Sequence, residues 1–330
     1  MTAVAQRADD LVATFRQRFL ELRHAIGEVV VGRDEVVHGV LTALVAGGHV
    51  LLEGPPGTGK TLLCKTVARV AGLDFSRIQF TPDLLPADIL GGPVLRRGPG
   101  GIEELQFRPG PVFANLVLAD ELNRASPRTQ AALLEVMEER QVTTPEGTRS
   151  LDEPFVVLAT QNPFDQGTYP LPESQLDRFL LRLTVTGASE DELVRILAAD
   201  PAAALATARP SIDREGLLEL RRIAAEAVVA PEVNTLIARL TLASDPASEL
   251  APASVRRVVR GGVSARGARA LLAAARVRAL AAGRAHVARA DVVAMVQPVF
   301  AHRLLLDWAA EAEGASRAAV VDDVIAAAGS

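Results

Sequence analysis

Eight consecutive residues, Gly54-Pro55-Pro56-Gly57-Thr58-Gly59-Lys60-Thr61, place glycines and prolines ahead of a lysine and a hydroxyl. The spacing G-x-x-x-x-G-K-[ST] lets backbone N–H groups wrap a phosphate chain at the start of a helix, where the positive end of the helix dipole adds to the attraction. Lys60 in this pattern reaches the β- and γ-phosphates, and the Thr61 hydroxyl ligates Mg²⁺. Leu62, the next residue, is counted with the binding segment. A chance Gly-rich loop is the competing reading. The flanks, an apolar run before and a helix-forming run after, supply the context the phosphate loop requires. ATP and Mg²⁺ are the expected cofactors.

Binding alone does not cleave a phosphate, so a group that activates water is needed. Leu116-Val117-Leu118-Ala119 is a buried-strand run that ends in Asp120-Glu121, sixty residues beyond Lys60. On a strand neighbouring that of the phosphate loop, Asp120 faces the loop and can hold the metal's water shell, while Glu121 can polarise the attacking water. Alone, such a run could equally end in a helix cap. The next apolar run, Phe155–Thr160, ends in Gln161-Asn162-Pro163. Asn162 can orient the water opposite Glu121; the alternative is a plain turn, since Asn-Pro starts turns readily. Two arginines, Arg178 in Leu-Asp-Arg-Phe and Arg266 in Ser-Ala-Arg-Gly, suit the charge spread over a transferring phosphoryl group. In so Arg-rich a chain, residue type alone does not separate them from surface arginines.

These residues need a frame. Strands are expected at His49–Glu53, Ser76–Phe80, Leu116–Ala119, Phe155–Thr160 and Leu180–Val185, with helices at Ala8–Val29, Asp34–Gly47 and Lys60–Ala71. Strands alternating with helices favour a parallel α/β sheet. Gly/Pro-rich pieces between Pro82 and Pro111, flanked by Val94-Leu95 and Leu105–Phe107, read as a projecting hairpin with Arg96 and Arg97 near its tip, or as a solvated turn. Beyond Val185 the chain reads as helices at 190–199, 214–227, 231–243, 265–282, 290–304 and 317–328. Leu217, Leu220, Ala224 and Ala227 share one face of the second, and Leu271, Leu272, Ala275 and Ala279 one face of the fourth. A boundary near Gly187-Ala188 divides an α/β unit, residues 1–187, from an all-helical one, residues 188–330.

The 330 residues suit two domains, and 49% apolar with 23% charged residues is the composition of a globular protein. Ala runs with only 4% aromatics favour closely packed helices in the C-terminal third. A net charge of −5 argues against nucleic acid as the main partner, because phosphate neutralisation drives most of that affinity. The single cysteine, Cys64, excludes an intramolecular disulfide and a multi-cysteine zinc site. With no signal-peptide pattern and no apolar run long enough for a bilayer, a cytoplasmic location and no membrane span are expected.

In order, Gly54–Thr61, Leu116–Glu121, Asn162, Leu176–Phe179 and Ser264–Arg266 resemble an AAA+ ATPase with its helical lid. Val31-Gly32-Arg33, His49–Gly54, Gln79–Pro86, Ala119–Ala125, Ala159–Pro163 and Gly167–Glu173 bring the likeness closer to the MoxR family, over roughly residues 29–305. The resemblance implies a P-loop NTPase parallel sheet sandwiched by helices, followed by the lid. It implies phosphate and Mg²⁺ contacts at Lys60 and Thr61, the metal-water carboxylate at Asp120, the base at Glu121 and the first sensor at Asn162. Arg178 matches a finger presented to the neighbouring subunit's nucleotide, Arg266 the second sensor, and Val31 and Gly32 the backbone beside adenine; Arg124 matches a further interface residue. The segment Leu84–Phe107 matches the insert typical of this clade, and Gln141–Glu153 the hairpin before the first sensor. Ala265 stands where the second-sensor motif usually has proline. A ring, expected to be a hexamer, follows, as do a protein client and a separate partner with a von Willebrand factor type A domain. The competing classes are a nucleic-acid motor and an ATP-binding scaffold that scarcely turns over.

Overall fold

The computed structural model describes residues 3–97, 103–144, 147–162 and 167–329. The chain opens with α1 (Ala3–Gly27) and α2 (Asp34–Ala46), whose apolar faces bury Phe15, Phe19, Leu22, Val40, Leu41 and Leu44. Gly47, in the left-handed conformation at φ 75°, ends α2 and turns the chain into β1 (His49–Glu53). A β-carbon is disfavoured in that conformation, so glycine is the natural stop.

After β1 come α3 (Lys60–Val70), β2 (Phe75–Gln79), α4 (Pro86–Leu90) and an antiparallel hairpin of β3 (Gly91–Arg97) and β4 (Glu103–Pro109). The tip of that hairpin, including Gly98–Gly101, lies outside the described residues, as do the side chains of Arg96 and Arg97. Next follow β5 (Leu116–Asp120), α5 (Pro127–Glu139), a second hairpin of β6 (Gln141–Thr144) and β7 (Gly147–Ser150), β8 (Val156–Gln161), α6 (Glu173–Leu176) and β9 (Phe179–Thr184). The two hairpins touch, with the Arg149 guanidinium 4.6 Å from the centre of the Phe107 ring. Helix α5 was not anticipated, although its start is marked by Ser126, whose side chain accepts the Thr129 N–H, followed by Pro127.

Five strands form one parallel sheet in the order β2-β5-β8-β1-β9. The order follows from composition. Strands β1, β5 and β8 are apolar on both faces and sit inside, whereas β2 carries Arg77 and Gln79 and β9 carries Arg182, so these two form the edges. Side chains alternate across the sheet. Val50, Leu52, Leu116, Leu118, Val156 and Leu158 face α1–α3, and Leu51, Val117, Ala119, Val157 and Ala159 face α5 and its surroundings. One expectation is corrected: the strand of Asp120 does not neighbour that of the phosphate loop. Strand β8 lies between them, hydrogen-bonded to both, because its five buried residues need cover on both sides and both edges.

Beyond β9 the chain is almost entirely helical: α7 (Glu190–Ala198), α8 (Pro201–Thr207), α9 (Arg214–Ala225), α10 (Pro231–Ala243), α11 (Ala253–Val258), α12 (Ala265–Ala281), α13 (Arg289–Phe300), α14 (Trp308–Ala312) and α15 (Arg317–Gly329). A short antiparallel pair, β10 (Val259–Gly261) and β11 (Leu305–Leu306), ties the end of α11 to the segment after α13. Leu217, Leu220, Ala224 and Ala227 are buried as their spacing predicts, as are Leu271, Ala275 and Ala279, while Leu272 is half-buried. These helices share one continuous core with α1, α2 and α3.

Candidate active site

The phosphate loop begins where β1 ends. Gly54 donates its N–H to the Gln161 carbonyl on β8, and Val185 donates to Glu53, so the loop is anchored on both sides. A β-carbon on Gly54 would lie 2.2 Å from the Val185 carbonyl oxygen, which leaves room for glycine alone. Gly59, at φ 82°, caps α3 and aims its first N–H groups into the cleft.

Pro56–Thr61, Asp120, Glu121, Thr160, Gln161 and Asn162 line a cleft of ≈ 380 Å³. The sheet order explains the grouping: the carboxyl ends of β5, β8 and β1 lie side by side and present the carboxylates, the Gln161-Asn162 step and the loop in sequence. Lys60 Nζ donates to the carbonyls of Gly54 at 2.7 Å and Pro55 at 2.8 Å. Burial holds its pKa below the ordinary lysine value, and Asp120 and Glu121 oppose that shift. Asn162 lies at the cleft wall, its carbonyl accepting from Asn123 Nδ2 at 3.3 Å; Pro163 is outside the described residues.

Asp120 is buried, and both its oxygens are engaged. Thr160 Oγ1 donates to Oδ1 at 2.6 Å, and Arg77 donates to Oδ2 from Nε at 3.1 Å and Nη2 at 2.7 Å. The same Thr160 hydroxyl accepts the Glu121 N–H at 2.8 Å. Glu121 adopts the left-handed conformation at φ 57°, unusual for a residue with a side chain and commonest where geometry serves a site. Its Oε2 accepts from Gln79 at 2.9 Å and Arg124 at 3.1 Å, and Arg77 Nη2 in turn donates to Gln79 Oε1 at 2.6 Å. Sequence reasoning missed Thr160, Arg77 and Gln79. The alternation of Arg77 and Gln79 about buried Ile78 puts them on one face, but only the register, with Gln79 opposite Asp120, tells which carboxylates they meet.

A second, mainly apolar cavity of ≈ 350 Å³ shares Gly57–Gly59 with the cleft and is walled by Val30, Val31, Leu62, Leu193 and Ile196. Its size and lining suit a flat base joined to a phosphate chain. Val31 lines it. Gly32 turns the chain at φ 71°, with the Glu192 side chain so close that a β-carbon would lie 2.7 Å from Cγ.

Arg178 and Arg266 are brought together, but away from this cleft. Both meet Glu138 on α5, Arg178 Nε at 3.5 Å and Arg266 Nη2 at 2.5 Å. Arg303, which sequence reasoning also missed, seats the segment beside them. It donates to Asp177 Oδ1 at 2.7 Å and to the carbonyls of Asp177 and Phe179 at 3.1 and 2.7 Å.

Residues 49–181 match the model of the ATPase family associated with various cellular activities (AAA), and residues 253–324 match that of the AAA lid domain. The chain is 42% identical to Chaperone MoxR1 of Mycobacterium tuberculosis, over 92% of this chain and 81% of that one. It is 33% identical to Protein MoxR of Paracoccus denitrificans, over 92% and 93% of the two chains. The chain belongs to the MoxR family of AAA+ ATPases. A crystal structure of a candidate ATPase from Cytophaga hutchinsonii superposes with a TM-score of 0.89 at 34% identity, covering 98% of each chain. As a family member the protein is an ATPase whose parallel-sheet domain precedes a helical lid. Among the described residues no helix is long and apolar enough to cross a membrane.

The residues present fit a hydrated divalent cation. Among the described residues no group of three or more His, Cys, Asp or Glu side chains could hold a metal by itself. Mg²⁺ characteristically keeps several waters and takes one or two protein oxygens plus phosphate, and Thr61 and Asp120 in one cleft supply such a pair.

Proposed function

We propose that this MoxR-family ATPase works as a ring, expected to be a hexamer, in which each ATP site is completed by the adjoining subunit, and that hydrolysis drives remodelling of a protein client. In this reading the phosphates lie along Gly54–Thr61 and Leu62, with Lys60 leaving the Gly54 and Pro55 carbonyls to reach the outer phosphates. Thr61 and Asp120 hold Mg²⁺, which when bound neutralises charge developing on the phosphates. Glu121 accepts a proton from the attacking water, Asn162 orients that water, and Val31 and Gly32 border the base. The α/β unit is taken as residues 1–187 and the lid as 188–330.

The observation that carries the reading is the position of Arg178 and Arg266. Both stand on Glu138, and neither lines the P-loop cleft of its own chain. Arg77 and Arg124, which do stand at the cleft, are paired with Asp120 and Glu121. In this reading the guanidinium for the transferring phosphoryl comes from a neighbour, with Arg178 as the finger and Arg266 beside it. A relative named as a chaperone supports a protein client, and the net charge of −5 favours protein over nucleic acid. A partner with a von Willebrand factor type A domain, carried on a separate chain, belongs to the same proposal, as does a cytoplasmic location.

Subunit mixing tests the shared site. Arg178→Ala and Glu121→Gln chains should each hydrolyse ATP poorly, whereas a mixture should regain turnover at interfaces that pair an intact Glu121 with an intact Arg178. Assembled mixtures as inactive as the separate variants would refute the arrangement.

A further inference from the structure

A buried carboxylate is costly to keep charged without a cation beside it. Asp120 is only 7% exposed, and the lysine of the phosphate loop does not pair with it, because Lys60 Nζ is bonded to the Gly54 and Pro55 carbonyls. The partner is Arg77, from the edge strand β2. Its side chain reaches forward along the sheet from opposite Leu118 and places Nε and Nη2 on one oxygen, Oδ2, at 3.1 and 2.7 Å. The other oxygen accepts from Thr160 at 2.6 Å. Both oxygens therefore carry protein donors.

The two ends of this ion pair differ in freedom. The Asp120 side chain is 10% exposed and held by Thr160, whereas the Arg77 side chain is 45% exposed and stands at the rim. Arg77 can turn into solvent at little cost; Asp120 cannot. A divalent cation brought to Asp120 on a nucleotide would also meet the guanidinium at short range, and like charges in a partly buried cleft repel strongly. One of the two cations must yield, and the exposed one is Arg77.

We propose that Arg77 is the resident counter-ion of Asp120 in the metal-free protein and that Mg²⁺–nucleotide binding displaces it. Arg77 thereby sets the Mg²⁺ concentration at which the site fills. The inference rests on the reading of Asp120 as the metal-water carboxylate and assigns a role to a residue outside the phosphate loop.

The test is a Mg²⁺ titration of full-length protein with a fluorescent N-methylanthraniloyl ADP, alongside melting curves. Arg77→Gln should lower the half-saturating Mg²⁺ about three- to tenfold, the range expected for losing a half-exposed charged pair. Affinity for the same nucleotide in EDTA should change far less. The metal-free melting temperature should fall and recover when Mg²⁺ and nucleotide are added together, but not with nucleotide alone. Arg77→Lys, which keeps the charge without the two-point contact, should shift the titration in the same direction by less. In an Asp120→Asn background, adding Arg77→Gln should shift it no further. An unchanged or raised half-saturating Mg²⁺ in Arg77→Gln and Arg77→Lys overturns displacement. Wild-type binding that ignores Mg²⁺ would overturn the metal assignment of Asp120 itself, so the two failures are distinguishable.

Discussion

Glu121 stands at the end of β5 in a left-handed backbone conformation, which costs about 1 to 3 kcal/mol for a residue with a side chain. Its N–H is held by the hydroxyl of Thr160, which also donates to Asp120. One buried hydroxyl therefore fixes the Asp120 carboxylate and the Glu121 backbone, the two residues proposed as metal-water ligand and base. Thr160→Val keeps the shape but removes the acceptor for the Glu121 N–H and the donor to Asp120, and leaving such groups unpaired costs about 1 to 3 kcal/mol. The expected outcome is a lower urea midpoint and a turnover loss larger than the loss of nucleotide affinity, with Thr160→Ser close to wild type. Equal behaviour of the Val and Ser variants, by steady-state assay and nucleotide titration, would remove Thr160 from the site. Glu121→Gln should retain ATP while hydrolysis falls about 10²-fold or more, the usual share of a general base. Lys60→Ala should lose nucleotide binding itself, which equilibrium titration reads directly. Glu121 was legible because its type and its place after an apolar run stand in the sequence; Thr160 was not, because a threonine at a strand end is ordinary until the neighbouring strand is known.

At the scale of elements, the alternation of apolar runs with helical periodicity located the five sheet strands, the phosphate loop and most long helices within one or two residues. Helix α1 begins five residues earlier than expected, α13 ends four residues earlier, and the thirteen-residue α5 was missed. What the periodicity withheld was strand order. A run such as Val156–Thr160 announces a buried strand, but pairing with both β1 and β5 depends on long-range register. Short elements were also silent: α4, α8 and α14 are five to seven residues long, too short for a period to show. His49 shows how β1 is pinned. Its Nδ1 accepts the Val157 N–H at 2.9 Å and its Nε2 meets the Met137 carbonyl at 3.1 Å, an arrangement that requires the neutral ring with the proton on Nε2. Burial lowers its pKa from 6.5 to about 4. Below pH 6.5 the unfolded chain takes up a proton that the folded chain refuses until about pH 4, so stability falls across that window as pH drops. Between pH 7 and pH 5 this one ring should account for about 2 kcal/mol. Urea unfolding at the two pH values should show a smaller difference in His49→Gln by roughly that amount. An equal pH dependence in variant and wild type would place the titrating group elsewhere, His302 being next, since burial and Arg303 also hold it well below the ordinary value.

At the scale of the whole molecule, the lid and the sheet meet at Arg303. This residue follows α13, is buried, and grips the backbone on both sides of Arg178 through the carbonyls of Asp177 and Phe179, with the Asp177 carboxylate as its charged partner. Ser264, at the start of α12, donates to the same carboxylate at 3.2 Å. Any movement of the lid must therefore act on the two residues that flank the proposed finger. Replacing a buried member of such a pair strands its partner and typically costs about 3 to 5 kcal/mol, so Arg303→Met should lower the urea midpoint clearly. Asp177→Asn is the gentler probe. It keeps one acceptor oxygen for Arg303, presents an NH₂ donor to the Ser264 hydroxyl in place of the second oxygen, and removes the charge. It should loosen the seat of Arg178 without unfolding the lid. If the lid steers the finger, Asp177→Asn should bind nucleotide as wild type does, assemble normally, and hydrolyse ATP several-fold more slowly at saturation. Subunit mixing should give the same rescue as for Arg178→Ala, because the damaged part is lent to a neighbour and not used at home. Loss of nucleotide affinity comparable to Lys60→Ala would mean that the clamp supports the chain's own cleft instead, and an unaltered maximal rate would mean that Arg178 keeps its place without it.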